Sequence, residues 1–144
     1  MGVLIRKAKK DDFGSIWYLF KQLFFKNKMS KVKTQNLILN LLKDKESVML
    51  VMVLDKQIIG YVAVKFRNDI QVQGKIAYMS EFVIEESFRN KGFGTKLLKY
   101  IISTLKKRNC KELHLSSTFK RKKAHKFYEA LGFNKTAYFF WKKL

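Results

Sequence analysis

The stretch Ile76–Leu105 reads IAYMSEFVIEESFRNKGFGTKLLKYIISTL and predicts three elements in succession. Residues 76–84 are mostly apolar and rich in β-branched and aromatic side chains, which is typical of a buried strand. A short polar loop, residues 85–91, leads into Gly92-Phe93-Gly94. Apolar residues then recur at the spacing of one helix face; they are Phe93, Leu97, Leu98, Ile101, Ile102 and Leu105. The stretch therefore predicts a strand, a glycine-containing loop and a helix.

This arrangement is suited to binding an anion. The first backbone N–H groups of a helix have no partner within the helix, and the helix dipole places partial positive charge there. Glycines in the preceding loop let a phosphate approach the backbone closely. Arg89 and Lys91 add side-chain charge at the same place. A strand-to-helix turn that the glycines merely shape is the alternative interpretation, and the wider sequence has to decide between them.

The loop sequence Arg89-Asn90-Lys91-Gly92-Phe93-Gly94 resembles the Arg/Gln-x-x-Gly-x-Gly/Ala signature of the GNAT superfamily of N-acetyltransferases. The resemblance implies that residues 89–95, which end at Thr95, hold the pyrophosphate of acetyl-coenzyme A. Two other phosphate-binding signatures are excluded. A dinucleotide fingerprint would need a third glycine where Leu97 stands, and no Gly-Lys-Ser/Thr is present for a Walker loop.

A second signature of the same superfamily follows at the expected distance. It is Ala124-x-x-Phe127-Tyr128-Glu129-x-x-Gly132-Phe133, on a predicted helix from about Arg121 to Leu131 that ends at a natural C′ glycine. The finer pattern resembles the subset that includes aminoalkylphosphonate N-acetyltransferase. Three positions depart from common family usage: Asn90 stands where Gly is common, Glu86-Ser87 where Pro-Glu is common, and Arg121 where many members have Asn.

The resemblance covers the chain from about residue 3 to its end and implies an α/β (α+β) GNAT fold. That fold has a central mixed, mostly antiparallel sheet flanked by about four helices, in the order β-α-α-β-β-β-α-β-α-β. The sequence places the elements accordingly. Strands are predicted at 3–8, 47–54, 58–66, 76–84, 112–115 and 137–141, and helices from 13 to about 26, from about 34 to 44, and at the two signatures. With no proline, internal repeat or linker, a single domain spanning 1–144 is expected.

Acetyl transfer to an amine requires a base, stabilisation of charge on the thioester oxygen, and an acid for the leaving thiolate. Glu81 is the candidate base, because it is the carboxylate set within the apolar strand, with Met79 and Val83 as same-face neighbours. Burial there would raise its pKa. A Glu at a strand bulge that pairs with one of the many lysines is an equally good interpretation. The resemblance places the Tyr128 hydroxyl near the coenzyme sulfur, as the acid.

Further cofactor contacts are implied by the resemblance. The backbone of Phe82, Val83 and Ile84 would pair with the pantetheine arm, and the Val83 N–H would be the oxyanion donor. Ser116, Arg121 and Ala124 would contact the rest of the coenzyme. No metal is expected, because His114 and His125 lack ligand spacing. Cys110 has no flanking His or Asp to activate it as a nucleophile.

The formal net charge is +20, from 31 Lys and Arg against 11 Asp and Glu in 144 residues. Compositional bias toward lysine explains most of this charge, yet its electrostatic field would still attract anions.

An amine that carries an acidic group is therefore the expected acceptor, and it would attack acetyl-CoA directly in a ternary complex. A macromolecular acceptor (a protein N-terminus, a lysine or an aminoacyl-tRNA) is the alternative, and a non-enzymatic nucleic-acid binder is less favoured because it leaves both signatures unexplained.

The sequence also bears on location and assembly. The sequence contains no run of about eighteen apolar residues, so it predicts no membrane-spanning helix. The apolar segment within Met1–Lys7 is too short for a signal peptide. A single cysteine is consistent with a reducing cytoplasm. The aromatic stretch Tyr138–Trp141 invites pairing with a second subunit, as exposed strand edges do.

Overall fold

A computed structural model describes residues 2–24 and 28–144. The chain divides into two compact units. We call residues up to His114 the sheet unit and residues Leu115–Leu144 the C-terminal unit, and we describe each by itself. Every buried hydrophobic side chain among the described residues belongs to the sheet unit, from Ala8 to Leu105. The expected single domain over 1–144 stays a prediction.

The sheet unit contains a five-stranded sheet whose spatial order follows the chain. The strands are β1 (Val3–Lys7), β2 (Ser47–Leu54), β3 (Gln57–Asp69), β4 (Gly74–Ile84) and β5 (Glu112–His114). Neighbours from β1 to β4 pair antiparallel, and β4 pairs with β5 in parallel. The mixed, mostly antiparallel GNAT sheet is confirmed, and β2 has the predicted bounds. The strands β3 and β4 each extend further than predicted at the turn that joins them.

Helices cover both faces of the sheet. On one face, α1 (Phe13–Leu23) and α2 (Lys31–Lys43) pack on Met49, Val51, Tyr61, Ala63 and Val83. On the other face, α3 (Phe93–Lys107) comes so close that a Cβ added to Gly60 would lie 3.4 Å from Leu97 Cδ2. The same Cβ would lie 2.9 Å from Ile84 Cδ1 in the neighbouring strand β4. The buried face of α3 consists of the predicted Leu97, Leu98, Ile101 and Leu105.

The helix boundaries follow from local hydrogen bonds. Ser30 caps α2 by accepting from the Lys33 N–H at 3.2 Å. Asp12 occupies the N-cap position of α1, but its carboxylate binds the Arg6 guanidinium at 2.8 and 3.0 Å and accepts from the Lys9 N–H. The predicted end of the first helix near Lys26 lies outside the described residues.

The C-terminal unit contains one helix, α4 (Lys122–Ala130). It ends at the predicted glycine: Gly132, at φ +90°, donates to the Glu129 carbonyl, and Phe133 donates to the Tyr128 carbonyl, both at 3.1 Å. The two bonds and the 5.6 Å contact between the Tyr128 and Phe133 rings form a Schellman motif.

The final strand predicted at 137–141 is wrong, because residues 133–144 have no regular secondary structure. Strand propensity alone does not make a strand, since the backbone groups need a neighbouring strand to pair with. The side chains of this stretch are exposed, from 64% for Phe139 to 89% for Phe140. The observed element order is therefore the expected GNAT order without its last strand.

Candidate active site

The loop before α3 is shaped to hold an anion. Gly92 is the N-cap of α3 and has φ +86°, a left-handed conformation that favours glycine. The Lys96 N–H donates to the Gly92 carbonyl at 3.1 Å, and the backbone N–H groups ahead of it have no partner within the helix. Asn90, where the family commonly has Gly, also has a positive φ of 61°. The sequence prediction of a glycine-shaped loop and an open helix N-terminus is confirmed.

Residues that sequence reasoning missed hold this loop in place. The Glu85 carboxylate is 7% exposed, and it accepts from the Ser87 N–H at 2.9 Å, from the Ser87 hydroxyl and from Gln22 at 3.3 Å. These bonds, Ser87 first, hold the pKa of Glu85 below its ordinary value. Gln22 in α1 also accepts from the Glu86 N–H at 2.9 Å. The local signal for these bonds was the sequence Glu85-Glu86-Ser87 directly after an apolar strand, because a carboxylate at such a position can cap the backbone N–H groups that follow it.

The side chains of Arg89 and Lys91 are both oriented by contacts within the loop. The Arg89 Nε donates to the Ile84 carbonyl at 2.8 Å, which ties the loop to the end of β4. The Lys91 ammonium lies 5.7 Å from the centre of the Phe88 ring, and Phe88 packs edge-on against Phe93. Both cations are therefore kept beside the N-terminus of α3.

The end of β4 extends well beyond its contact with β5. The β4–β5 ladder includes only Ile76–Tyr78, whereas β3 pairs with β4 as far as Ile84. The Glu85 N–H donates to the Ile59 carbonyl in β3 at 2.7 Å. Because N–H groups alternate sides along a strand, Val83 also directs its N–H toward β3. The expected role of the Val83 N–H as an oxyanion donor is therefore not supported, and Ile84 is the residue whose polar groups face away from β3.

Glu81 lies on the face of the sheet that α1 and α2 cover. It is opposite Ala63 in β3, and a bulge at Ser80 separates it from Met79, which is opposite Val64. The extra residue reverses the side-chain alternation. Val83 is therefore a same-face neighbour of Glu81, as predicted, but Met79 lies on the other face. Burial raises the pKa of Glu81, and the Ser80 hydroxyl partly offsets this by hydrogen bonding.

Tyr61 is a second polar side chain on this face that sequence reasoning missed. Its side chain is 0% exposed, and its hydroxyl has no hydrogen-bond partner among the described residues. Leaving a buried hydroxyl unpaired costs about 1–3 kcal/mol. Burial, and then the charge of Glu81, raises the Tyr61 pKa well above its ordinary value. The apolar run Ile58–Phe66 gave no reason to separate this tyrosine from its core neighbours.

The C-terminal unit carries a cationic cavity. Lys120, Arg121, Lys122, Lys123 and Ala124 line an open space of about 380 Å³ at the start of α4. Arg121 is the N-cap residue of this helix. Four cationic side chains beside a helix N-terminus attract phosphate groups. Of the three weaker cofactor candidates, Arg121 and Ala124 line this cavity, whereas Ser116 precedes it on an exposed segment.

Tyr128 lies near the C-terminal end of α4, between two aromatic neighbours. Its ring centre is 5.4 Å from that of Phe127 and 5.6 Å from that of Phe133. Burial raises the pKa of its hydroxyl, and the positive charge of Arg121 acts in the opposite direction. The hydroxyl is therefore protonated at neutral pH and can act as a proton donor.

The two histidines and the cysteine form polar contacts with neighbouring residues. A ring nitrogen of His125 lies 2.8 Å from the Thr118 carbonyl, and one of His114 lies 2.7 Å from the Glu112 carboxylate. The Cys110 thiol contacts the Glu112 carbonyl at 3.3 Å. Within residues 2–24 and 28–144 no group of three or more His, Cys, Asp or Glu side chains is arranged to hold a metal ion.

Comparison with known sequences identifies the family. The sequence model described as the Acetyltransferase (GNAT) family matches residues 10–133, a range that includes the α3 loop and α4. The chain therefore belongs to the GNAT family of acetyltransferases. No curated protein matches it.

Solved structures share the fold along the whole chain. A transcriptional regulator from Bacillus halodurans C-125 has 23% identity and a TM-score of 0.91, covering 99% of this chain and 100% of that one. An aminoglycoside antibiotic 6'-N-acetyltransferase from Acinetobacter baumannii has 18% identity and a TM-score of 0.83, with 99% and 98% covered. Glucosamine-6-phosphate N-acetyltransferase from Arabidopsis thaliana has 19% identity and a TM-score of 0.81, with 99% of both chains covered.

Family membership establishes the class of reaction. The chain is an acetyl-CoA-dependent N-acetyltransferase of the GNAT family, and acetyl-CoA is its co-substrate. The loop before α3 fits the diphosphate of that co-substrate because it combines a helix N-terminus, a left-handed glycine and two cations. No helix in the described part of the chain is long and apolar enough to cross a membrane.

Proposed function

We propose that this chain transfers the acetyl group of acetyl-CoA to the primary amine of a small acceptor that carries an acidic group. The reaction is a direct attack within a ternary complex. The observation that carries this proposal is the carboxyl of Glu81, whose pKa is raised by burial on the face of the sheet beneath α1 and α2. A carboxyl with a raised pKa is a better proton acceptor near neutrality.

The co-substrate is assigned to residues in both units. Residues 89–95 bind the pyrophosphate at the N-terminus of α3, and the strand end Phe82–Ile84 pairs with the pantetheine arm. The position of this strand end beyond the β4–β5 ladder supports that pairing. In the C-terminal unit, Arg121 and Ala124, with Ser116 before them, contact the rest of the coenzyme, and the cationic cavity supports a phosphate there.

The chemistry assigned to the two side chains balances one acetyl transfer. Glu81 takes a proton from the acceptor ammonium, directly or through water, and so frees the nitrogen lone pair. The nitrogen forms a bond to the thioester carbonyl carbon, and the carbon–sulfur bond breaks. The departing thiolate takes a proton from the Tyr128 hydroxyl, and the excess proton on the new amide nitrogen returns to the Tyr128 oxygen through solvent. Glu81 then releases its proton to solvent, which restores both groups. The outward-facing backbone at Ile84 is the candidate donor to the developing oxyanion.

The acceptor is inferred from charge. A chain with a net charge of +20 repels polyamines and basic peptides and attracts acidic amines. Aminoalkylphosphonates and amino acids carry an amine and an acidic group, and the signature around α4 resembles the subset that includes aminoalkylphosphonate N-acetyltransferase. The acetyltransferases from Acinetobacter baumannii and Arabidopsis thaliana are named for small amines, an aminoglycoside and glucosamine 6-phosphate.

The test begins with acetyl-CoA alone. Thermal unfolding with and without it should show a midpoint that rises with ligand concentration, by an amount equivalent to about 2.7 kcal/mol at one hundred times the dissociation constant. Release of free thiol is then measured against a panel of aminoalkylphosphonates, amino acids, amino sugars and polyamines. No midpoint shift at any concentration would contradict cofactor binding, and a preference for polyamines would contradict the acidic acceptor.

Two variants with matched controls test the assigned roles. Glu81→Gln and Tyr128→Phe should each lower kcat about 10²–10⁴-fold, as expected for loss of general base or acid catalysis, while the acetyl-CoA shift stays. Glu129→Gln and Tyr138→Phe make the same chemical changes at exposed positions of the C-terminal unit and should leave kcat unchanged. A wild-type rate in either active-site variant would remove that residue from the mechanism.

A macromolecular acceptor is the second candidate, and the basic charge supports it. Eight of the 31 basic residues but only one of the 11 acidic residues lie in the 30-residue C-terminal unit. An acceptor such as aminoacyl-tRNA would be bound with a steep dependence on salt. Turnover of a small acidic amine with a KM that changes little between 50 and 200 mM salt would contradict this alternative. The same result would contradict the interpretation of the chain as a non-enzymatic nucleic-acid binder.

We also propose that the protein is located in a reducing cytoplasm, because Cys110 is the only cysteine in the sequence. We propose further that it forms a homodimer. The exposed aromatic side chains Tyr138, Phe139, Phe140 and Trp141 support the dimer, since strand-forming stretches with unpaired backbone associate readily. Sedimentation should give twice the chain mass of 17.1 kDa, and Phe140→Lys should return it to that of one chain. A single-chain mass of the wild type at every concentration would contradict the dimer.

A further inference from the structure

The buried Tyr61 hydroxyl is a polar group that the mechanism above does not use. It has no hydrogen-bond partner among the described residues, and its side chain is 0% exposed. The ring packs edge-on against Phe20 of α1, with centres 5.3 Å apart at 76°. Phenylalanine would make this ring contact without burying an unpaired hydroxyl, which is destabilising. The hydroxyl therefore needs an explanation other than packing.

The sheet register places Tyr61 next to Glu81. Tyr61 is opposite Val83, and Ala63 is opposite Glu81. Tyr61 and Glu81 thus lie on the same face as diagonal neighbours on adjacent strands, and such positions are separated by about 7–8 Å. Long side chains bridge that separation. The pairing from Tyr61 to Ala63 is regular, and the bulge at Ser80 comes after it, which places Met79 on the other face.

The hydrophobic side chains that α1, α2 and β2 contribute to this cluster are Phe13, Ile16, Trp17, Leu19, Phe20, Leu23, Ile38, Leu41, Leu42, Met49, Val51 and Val53. From β4, the Ser80 hydroxyl hydrogen-bonds to Glu81. The charged groups Arg6 and Asp12 at the start of α1 form an ion pair with each other at 2.8 Å. Because burial raises the Tyr61 pKa, the hydroxyl keeps its proton and is a donor, and the Glu81 carboxylate is an acceptor.

We propose that Tyr61 is a positioning residue for the base: its hydroxyl donates a hydrogen bond to one water, which in turn donates to the Glu81 carboxylate and so orients it. This inference rests on the proposed role of Glu81. The hydrogen bond stabilises the charged form of the carboxyl and limits the rise that burial causes in its pKa. It also restricts the carboxylate to one orientation, which matters because proton transfer requires hydrogen-bond contact with the amine.

Tyr61→Phe removes only the oxygen atom and tests the proposal. We expect kcat with the best amine of the panel to fall about tenfold, with KM for acetyl-CoA and the acetyl-CoA thermal shift unchanged. The acidic limb of the pH–rate profile should move to higher pH, because the Glu81 pKa rises when its donor is lost. The thermal midpoint measured without ligand shows that the variant is folded. Tyr100→Phe, which makes the same change at a 44% exposed position of α3, should move none of these readouts.

Two further measurements separate this inference from the proposed function. Carboxyl ¹³C NMR of Glu-labelled protein reports the Glu81 pKa without any acceptor, and that pKa should be higher in Tyr61→Phe. In a Glu81→Gln background, Tyr61→Phe should cause no further loss of rate. A wild-type pH profile and Glu81 pKa in Tyr61→Phe, or an additive loss in the double variant, would overturn the positioning role. If Glu81→Gln itself keeps full activity, the proposed role of Glu81 as the base fails first, and the NMR pKa still decides whether Tyr61 and Glu81 interact.

Discussion

The sheet unit and the C-terminal unit bury their side chains to very different degrees. All 27 buried hydrophobic residues of the described chain lie in the sheet unit, and twelve large side chains there are almost fully enclosed. The helix α4 of the C-terminal unit has no buried residue, and five aromatic side chains around it are 64–89% exposed. The difference teaches that the buried core lies in the sheet unit, whereas the C-terminal unit carries exposed aromatic and cationic side chains.

The largest effect should come from the core of the sheet unit. Leu98→Ala, at a 0% exposed position of α3, should lower the free energy of unfolding by about 2–5 kcal/mol, because it removes buried methyl groups and leaves a cavity. Phe139→Ala, at a 64% exposed position of the C-terminal unit, should change it by no more than about 0.5 kcal/mol. Urea unfolding followed by circular dichroism measures both. Equal effects would mean that the two units share one core.

The next effect concerns the ion pair at the start of α1. Hydrogen bonds from Arg6 hold the pKa of Asp12 below its ordinary value of 3.8, although burial opposes this. The folded-state pKa is depressed, so the stabilisation is present above the ordinary pKa and is lost as the pH falls toward the lower folded value. Asp12→Asn should cost about 1.5–3 kcal/mol at pH 7 and much less near pH 2. Urea midpoints measured from pH 7 to pH 2 test this. Identical urea midpoints of wild type and Asp12→Asn at every pH would show that the pair contributes nothing.

Substitution of Gly92 tests whether acetyl-CoA binding by the loop before α3 depends on the left-handed backbone conformation of this residue. A Cβ at Gly92 would meet nothing within 4 Å, but its φ of +86° is unfavourable for alanine, so Gly92→Ala should cost about 1–2 kcal/mol. It should also weaken acetyl-CoA binding, seen as a smaller thermal shift. Gly14→Ala in α1 is the control, since its Cβ also meets open space and alanine favours a helix. Unchanged acetyl-CoA binding in Gly92→Ala would separate the loop conformation from anion recognition.

The smallest effect should be local to the C-terminal unit. Gly132 also has open space around a Cβ and φ +90°, so Gly132→Ala should destabilise the Schellman end of α4 by about 1 kcal/mol. Faster hydrogen exchange of α4 amides should report this, while the urea midpoint of the sheet unit stays within error. An equal fall in that midpoint would show that α4 unfolds together with the sheet.

Much of the site follows from local sequence. The strand, glycine loop and helix over 76–105 were predicted because hydrophobic periodicity and a glycine with positive φ are properties of neighbouring residues. The Schellman end of α4 at Gly132 is local in the same sense. The last strand at 137–141 was wrong because pairing needs a distant partner that propensity does not supply. Met79 was placed on the wrong face because the bulge at Ser80 exists only in the register with β3.

The sequence by itself determined the family, the order of the elements as far as α4 and the glycine-containing loop before α3, because these depend on composition and spacing along one stretch of chain. Only the tertiary structure decided that Tyr61 lies beside Glu81, that Gln22 of α1 holds Glu85, and that Val83 directs its N–H toward β3. Each of these contacts joins residues on different strands or helices. Their proximity depends on strand register and helix packing, which are fixed by the free energy of the whole core.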